Sequence, residues 1–280
     1  NIEHLFNVIL LGFLVASITF ILEYDIFNIA LDNRLDASRL GGYNTFAFLL
    51  SQAMIISIHI FITSRSISLK LVVIVIFMVF LLTTFLTLSR GGLFSFLIGA
   101  TYYLTRMKRK RYLLLAPISA LVVLSYYDLS LILEIEEISQ RYLGDSGISD
   151  YSSGRIPLWI YLISDLLSNF LQLLFGNGIG TIFFDSSTSW TTTRSAHNQY
   201  LEYLYYFGLI IFIPFSIAIL RFIYKIKKIP KTSTNILLTS LFIQILFGLL
   251  IDSHLQTAQV GWYFGMMIAL ILVTTKKYTS

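Results

Sequence analysis

Three residues in this 280-residue chain stand where their types call for a chemical reason. Arg90 lies in Leu88-Ser89-Arg90-Gly91-Gly92, between two apolar runs. Arg155 follows Gly154 at the head of a helix-like stretch, and His197 lies in Arg194-Ser195-Ala196-His197-Asn198-Gln199-Tyr200-Leu201-Glu202. A guanidinium presents a rigid fork of donors suited to phosphate or carboxylate oxygens. An imidazole takes up a proton near neutral pH and so can serve as a general base. Each residue also has a plainer reading. Arg90 can be an arginine that snorkels to a membrane boundary. His197 can be an interfacial histidine that only hydrogen-bonds. The glycines after Arg90 admit close approach by another backbone or by a bulky anion.

The surroundings add detail. Ser152 or Ser153 can cap a helix whose first turn holds Pro157, which puts Arg155 at the helix start. A helix N-terminus with an arginine suits an anion. The run Phe175-Gly176-Asn177-Gly178-Ile179-Gly180 reads first as a helix stop and turn, and second as backbone that a ligand can approach. On a helix, Arg194, His197, Asn198 and Leu201 share one face. His4 and His59 carry no supporting neighbours, and His254 in Asp252-Ser253-His254 is an alternative base. There is no H-E-x-x-H, H-x-x-E-H, D-x-D, Gly-Lys-Ser/Thr or G-x-G-x-x-G. No metal or nucleotide cofactor is therefore expected.

Only 12% of the chain is charged, 56% is apolar, and mean hydropathy is +0.77. A soluble domain carries about twice that charge, and a disordered chain is far less apolar. An all-α, polytopic membrane protein remains. With no cysteine, disulfides, thiolate metal sites and cysteine nucleophiles are excluded. Eight spans are expected, near Leu5–Leu22, Thr45–Thr63, Leu71–Leu88, Gly91–Thr105, Tyr112–Tyr127, Tyr200–Phe222, Ile236–Ile251 and Val260–Thr275. Alternating them puts fourteen of the twenty Lys and Arg on one side, which is then cytoplasmic together with both termini. A start at Asn1 leads to the expectation of a missing N-terminal portion. The whole chain, 1–280, reads as one transmembrane domain with a large extracytoplasmic loop at 128–199. The basic charge sits in short loops, so no nucleic-acid partner is expected.

Within that loop, Trp159–Leu174 is apolar at Trp159, Leu162, Ile163, Leu166, Phe170, Leu173 and Leu174 and polar at Asp165, Asn169 and Gln172. This 3.6-residue period predicts one amphipathic helix lying flat on the outer surface.

Three ordered elements fall on that same side: Ser89-Arg90-Gly91; Gly154-Arg155 with Trp159; and Gly176-x-Gly178-x-Gly180 followed by Ala196-His197-Asn198-x-Tyr200-Leu201. From about Arg39 to Phe222 the chain resembles the O-antigen polymerase/ligase family of bacterial surface-polysaccharide assembly. The resemblance implies a C-type, metal-independent membrane glycosyltransferase of the bacterial cytoplasmic membrane. Such an enzyme moves glycan from undecaprenyl pyrophosphate to an acceptor hydroxyl on the outer face. By that resemblance Arg90 and Arg155 hold the pyrophosphate and His197 assists the acceptor, while Arg39, Arg194, Asn198, Gly178 and Gly180 contact substrate. Membrane lipid, a chain-length regulator and a flippase are the partners it implies. Repeat-unit polymerase is favoured over ligation to lipid A–core. A polysaccharide or lipid transporter with an outer anion site is the reading from another class.

Overall fold

The computed structural model describes residues 2–23, 42–87, 89–108, 155–179, 196–252, 254–256 and 258–276. These residues are helical or lie in short connections, with no strand among them. The helices are α1 (Ile2–Glu23), α2 (Tyr43–Thr63), α3 (Ile67–Leu86), α4 (Arg90–Arg106), α5 (Arg155–Ser168), α6 (Phe170–Phe175), α7 (Gln199–Lys227), α8 (Ser233–Ile251) and α9 (Ala258–Lys276), with a 3₁₀ turn at His254–Gln256. Five are long and apolar enough to cross a membrane: α1, α2, α3, α7 and α8. The expected fourth span is the 17-residue α4, and the eighth falls in α9, whose apolar part is Val260–Thr274. The expected fifth span, Arg39, Arg194, Gly180, Ser152 and Ser153 lie outside the described residues.

The chain forms two compact units. The first holds α1 to α4, most of α8, and α9. At its centre is α2, buried without interruption from Thr45 to His59. A helix apolar on every side must be covered on every side. Two of its buried hydroxyls are satisfied locally: Ser51 and Ser57 donate to the carbonyls of Phe48 and Ala53, one turn back. From α8, the Gln244 amide reaches Ser51 Oγ at 2.5 Å, and Ser240 donates to the Gly99 carbonyl at 2.6 Å. Ser89 caps α4 by accepting from the Gly92 amide, which makes Arg90 the first residue of that helix. A Cβ on Gly92 would stand 2.7 Å from that of Ala47. The close approach there is made by α2.

The second unit holds α5, α6, α7 and the end of α8. Leu158, Leu162 and Leu166 of α5 are buried with Ala196 and Tyr205. The single helix expected over Trp159–Leu174 is instead two. Asn169 adopts an extended conformation (φ −135°, ψ 115°), and its side chain accepts from the Leu171 amide, which caps α6. Asparagine competes with the helix by bonding nearby backbone, and that local option ends α5.

α7 is broken at Gly208 (φ 64°, ψ −175°). The Tyr205 and Tyr206 carbonyls at the break accept from the amides of Asn177 (2.8 Å) and Gly178 (3.0 Å). Gly176 and Gly208 both have positive φ, and a Cβ on either would run into the other segment's backbone, at Tyr206 or Leu174. Only glycine meets both demands. Beyond the break, Ile210, Ile211, Ile213, Ile217 and Leu220 face outward. The stretch 209–227 rises about 28 Å, close to the ~30 Å hydrocarbon core. The candidate span Gln199–Lys227 contains the expected Tyr200–Phe222, and its first turns pack on α5.

Candidate functional site

The segment Ala196–Gln199 is fixed at every residue. The Ala196 amide donates to Glu202 Oε1 at 2.7 Å, and its carbonyl accepts from the Trp159 indole at 2.6 Å. Asn198 is the N-cap of α7, its side-chain oxygen accepting from the Leu201 amide at 3.1 Å. Gln199, buried, accepts from the Leu255 amide at 2.9 Å. Glu202 is fully buried, and reaching back past the cap it takes up an amide that the helix cannot use.

His197 does not lie on the helical face expected for it. α7 starts at Gln199, and His197 precedes its cap with φ 50°. Left-handed backbone costs a non-glycine residue about 1–3 kcal/mol and persists where the surroundings impose it. Here the bonds on both sides impose it. The result is that His197 Nδ1 meets Asp252 Oδ1 at 2.8 Å. The imidazole is 38% exposed, while Asp252 is 12% exposed. A carboxylate only accepts, so Nδ1 carries the hydrogen of this contact.

Arg155, the first residue of α5, donates from Nη1 to the Ile251 carbonyl at 2.8 Å. That carbonyl ends α8, where a cation complements the helix dipole. His254 is buried beside this group. Burial pushes its imidazole down to about 4; Asp252 opposes that shift, and Arg155 and His197 add to it. Arg155 is bonded at Ile251 and His197 at the next residue, Asp252, so both side chains converge on the turn that leads to His254. Such a cluster can bind an anion at Arg155 and accept a proton at His197. Among the described residues, no three of His, Cys, Asp and Glu gather to hold a metal ion.

Of the residues singled out in the sequence, Arg155 on α5 and His197 and Asn198 in this segment belong to the same unit. The Gly178 amide is engaged with Tyr206 of α7. Arg90 heads α4 in the other unit. Sequence reasoning passed over Asp252 as a partner of His197, and Glu202 and Gln199 as supports. The available signal was an acid two residues before His254 at the end of an apolar run. No protein-family model, curated protein or solved structure matches this chain.

Proposed function

We propose that the protein is a membrane glycosyltransferase of surface-polysaccharide assembly, which uses a polyprenyl-pyrophosphate-linked glycan as donor. The observation that carries the reading is His197, held through Nδ1 by Asp252, in the cluster that contains Arg155. His197 Nε2 takes the proton from an acceptor sugar hydroxyl as that oxygen attacks the anomeric carbon. The bond from the anomeric carbon to the pyrophosphate oxygen breaks, and the polyprenyl pyrophosphate leaves with the electron pair. Arg155 stabilises the charge that grows on it, and Asp252 stabilises the imidazolium that forms. Arg90 is given the same anion-holding role by resemblance alone, so its replacement is a separate test. The positive-inside count puts this chemistry on the outer face of the cytoplasmic membrane, within an eight-span topology.

The test is the glycan pattern of a deletion strain complemented with the full chain. Chains of one repeat on the acceptor identify a polymerase. Long chains retained on the lipid carrier identify a ligase. Variants His197→Ala and Arg155→Ala should reproduce the deletion pattern while inserting normally. A wild-type pattern with both variants would overturn the reading.

A further inference from the structure

We infer that the outward aliphatic side of α5, continued by α6, is a membrane-docking surface seated on the acyl chains of the bilayer. This rests on the chain crossing a membrane and not on the glycosyl-transfer reading.

α5 has three sides where its sequence suggested two. One side carries Leu158, Leu162 and Leu166, which are buried in the unit's core, with Trp159 and Asp165 along its margins. Asp165 accepts from the Tyr205 hydroxyl at 2.8 Å, so the acid that argued for a water-facing side belongs to this packed side. A second side carries Ser164, Ser168 and Tyr161, all exposed. The third carries Ile156, Ile160, Ile163 and Leu167, spaced at four, three and four residues and therefore aligned in one stripe. The stripe is open: Ile160 is 64% and Leu167 67% exposed. Phe170, Leu171 and Phe175 extend it along α6, each at least as open as Ile163. No charged residue interrupts it.

The occupant follows from where the stripe leads. Its last residue, Phe175, adjoins Gly176, whose chain is bonded to the Tyr205 and Tyr206 carbonyls at the break in α7. Just past that break α7, a candidate membrane span, exposes Ile210, Ile211 and Ile213. The stripe thus leads to the exposed apolar surface of a helix long and apolar enough to cross a membrane. α5 itself rises only about 20 Å, too short to cross, so it lies along the boundary, with one flank in hydrocarbon and the serine flank toward water. Arg155 and Trp159 are carried by the same helix. Docking therefore sets how far from the bilayer the cluster stands, a height that suits a substrate delivered on a lipid.

The chain has no native cysteine, so single labels are unambiguous. Ile160→Cys, Ile163→Cys, Leu167→Cys, Ser164→Cys and Ser168→Cys would each carry a nitroxide on the full chain in phosphatidylcholine–phosphatidylglycerol vesicles. Collision with molecular oxygen, which concentrates in lipid, is compared with collision with a water-soluble nickel chelate. The expected result is a reversal of the ratio between adjacent positions: oxygen dominant at 160, 163 and 167, chelate dominant at 164 and 168. Phe170→Cys gives a second reading from α6 should a label disturb α5. Chelate dominance at 160 and 163 would overturn the proposal by placing the stripe in water. Protection from both agents would overturn it by showing that another protein covers the stripe. An inactive protein with the expected labelling pattern would refute only the glycosyltransferase reading.

Discussion

His59 and His197 each engage Nδ1 in a 2.8 Å contact, and the two surroundings put the residue to opposite uses. His59 sits in the sealed α2 helix against the Tyr103 hydroxyl, edge-on to Tyr103 at 5.8 Å and to Phe6 at 6.3 Å between ring centres. Its partner is neutral and the pair is wrapped in aromatics, an arrangement that glues helices together. His197 stands outside any helix, on left-handed backbone, with a carboxylate behind it and more than a third of its surface open. The lesson concerns what a histidine is tied to: a neutral partner in a closed shell stabilises packing, whereas a carboxylate behind a part-exposed ring is what the proposed general base requires.

The sharpest way to break that contrast is to remove each imidazole. His197→Ala should lower turnover by about 10²–10⁴-fold, the usual worth of a general base, with the melting temperature nearly unchanged. His197→Gln, which donates but is no base, should fare no better. Near-full activity in the glutamine variant would assign His197 a hydrogen-bonding role instead. Asp252→Asn comes next. An amide can offer its NH₂ to Nδ1 and so favour the tautomer with the proton on Nε2, where it blocks proton uptake. A loss of about 10²-fold is expected, and rate measurements on purified protein in vesicles would check it.

A pH titration compares the site with its own buried neighbour. His254 has its imidazole at about 4 in the folded protein against 6.5 when exposed. Between those values the unfolded chain binds the extra proton, so stability is complete above about pH 6.5 and declines as pH falls toward 4. The slope approaches about 1.4 kcal/mol per pH unit within the window. Thermal melts from pH 7 to 4 should show this decline, and His254→Gln should flatten it. The smallest effect belongs to the packing histidine: Tyr103→Phe removes one hydrogen bond to His59 and should cost about 1 kcal/mol by denaturation in detergent, with activity retained. Activity falling in step with His197→Ala would dissolve the distinction.

Much of this was legible in the sequence, unevenly. The apolar runs announced long helices because hydrocarbon length sets span length. The Gly176–Gly178 turn was visible because glycine punctuates chains. What escaped was every pairing across distance. Asp252 is 55 residues from His197 and Tyr103 is 44 from His59, and no local spacing announces either. The break at Asn169 escaped because side-chain capping competes with a helix by a small margin. The third side of α5 escaped because a periodicity shows which residues are apolar but not which apolar residues the protein itself covers.

The interlock of Gly176–Gly178 with the break at Gly208 also has a mechanical meaning. Membranes differ in thickness, and a spanning helix answers by changing its tilt. In an unbroken α7 that tilt would act as a lever, swinging Gln199 and the histidine before it. The break places a joint at Gly208, and the backbone bonds from Asn177 and Gly178 clamp the short upper arm to the end of α6. The direction of the lower arm therefore does not by itself fix that of the upper arm, which takes its bearing from α6.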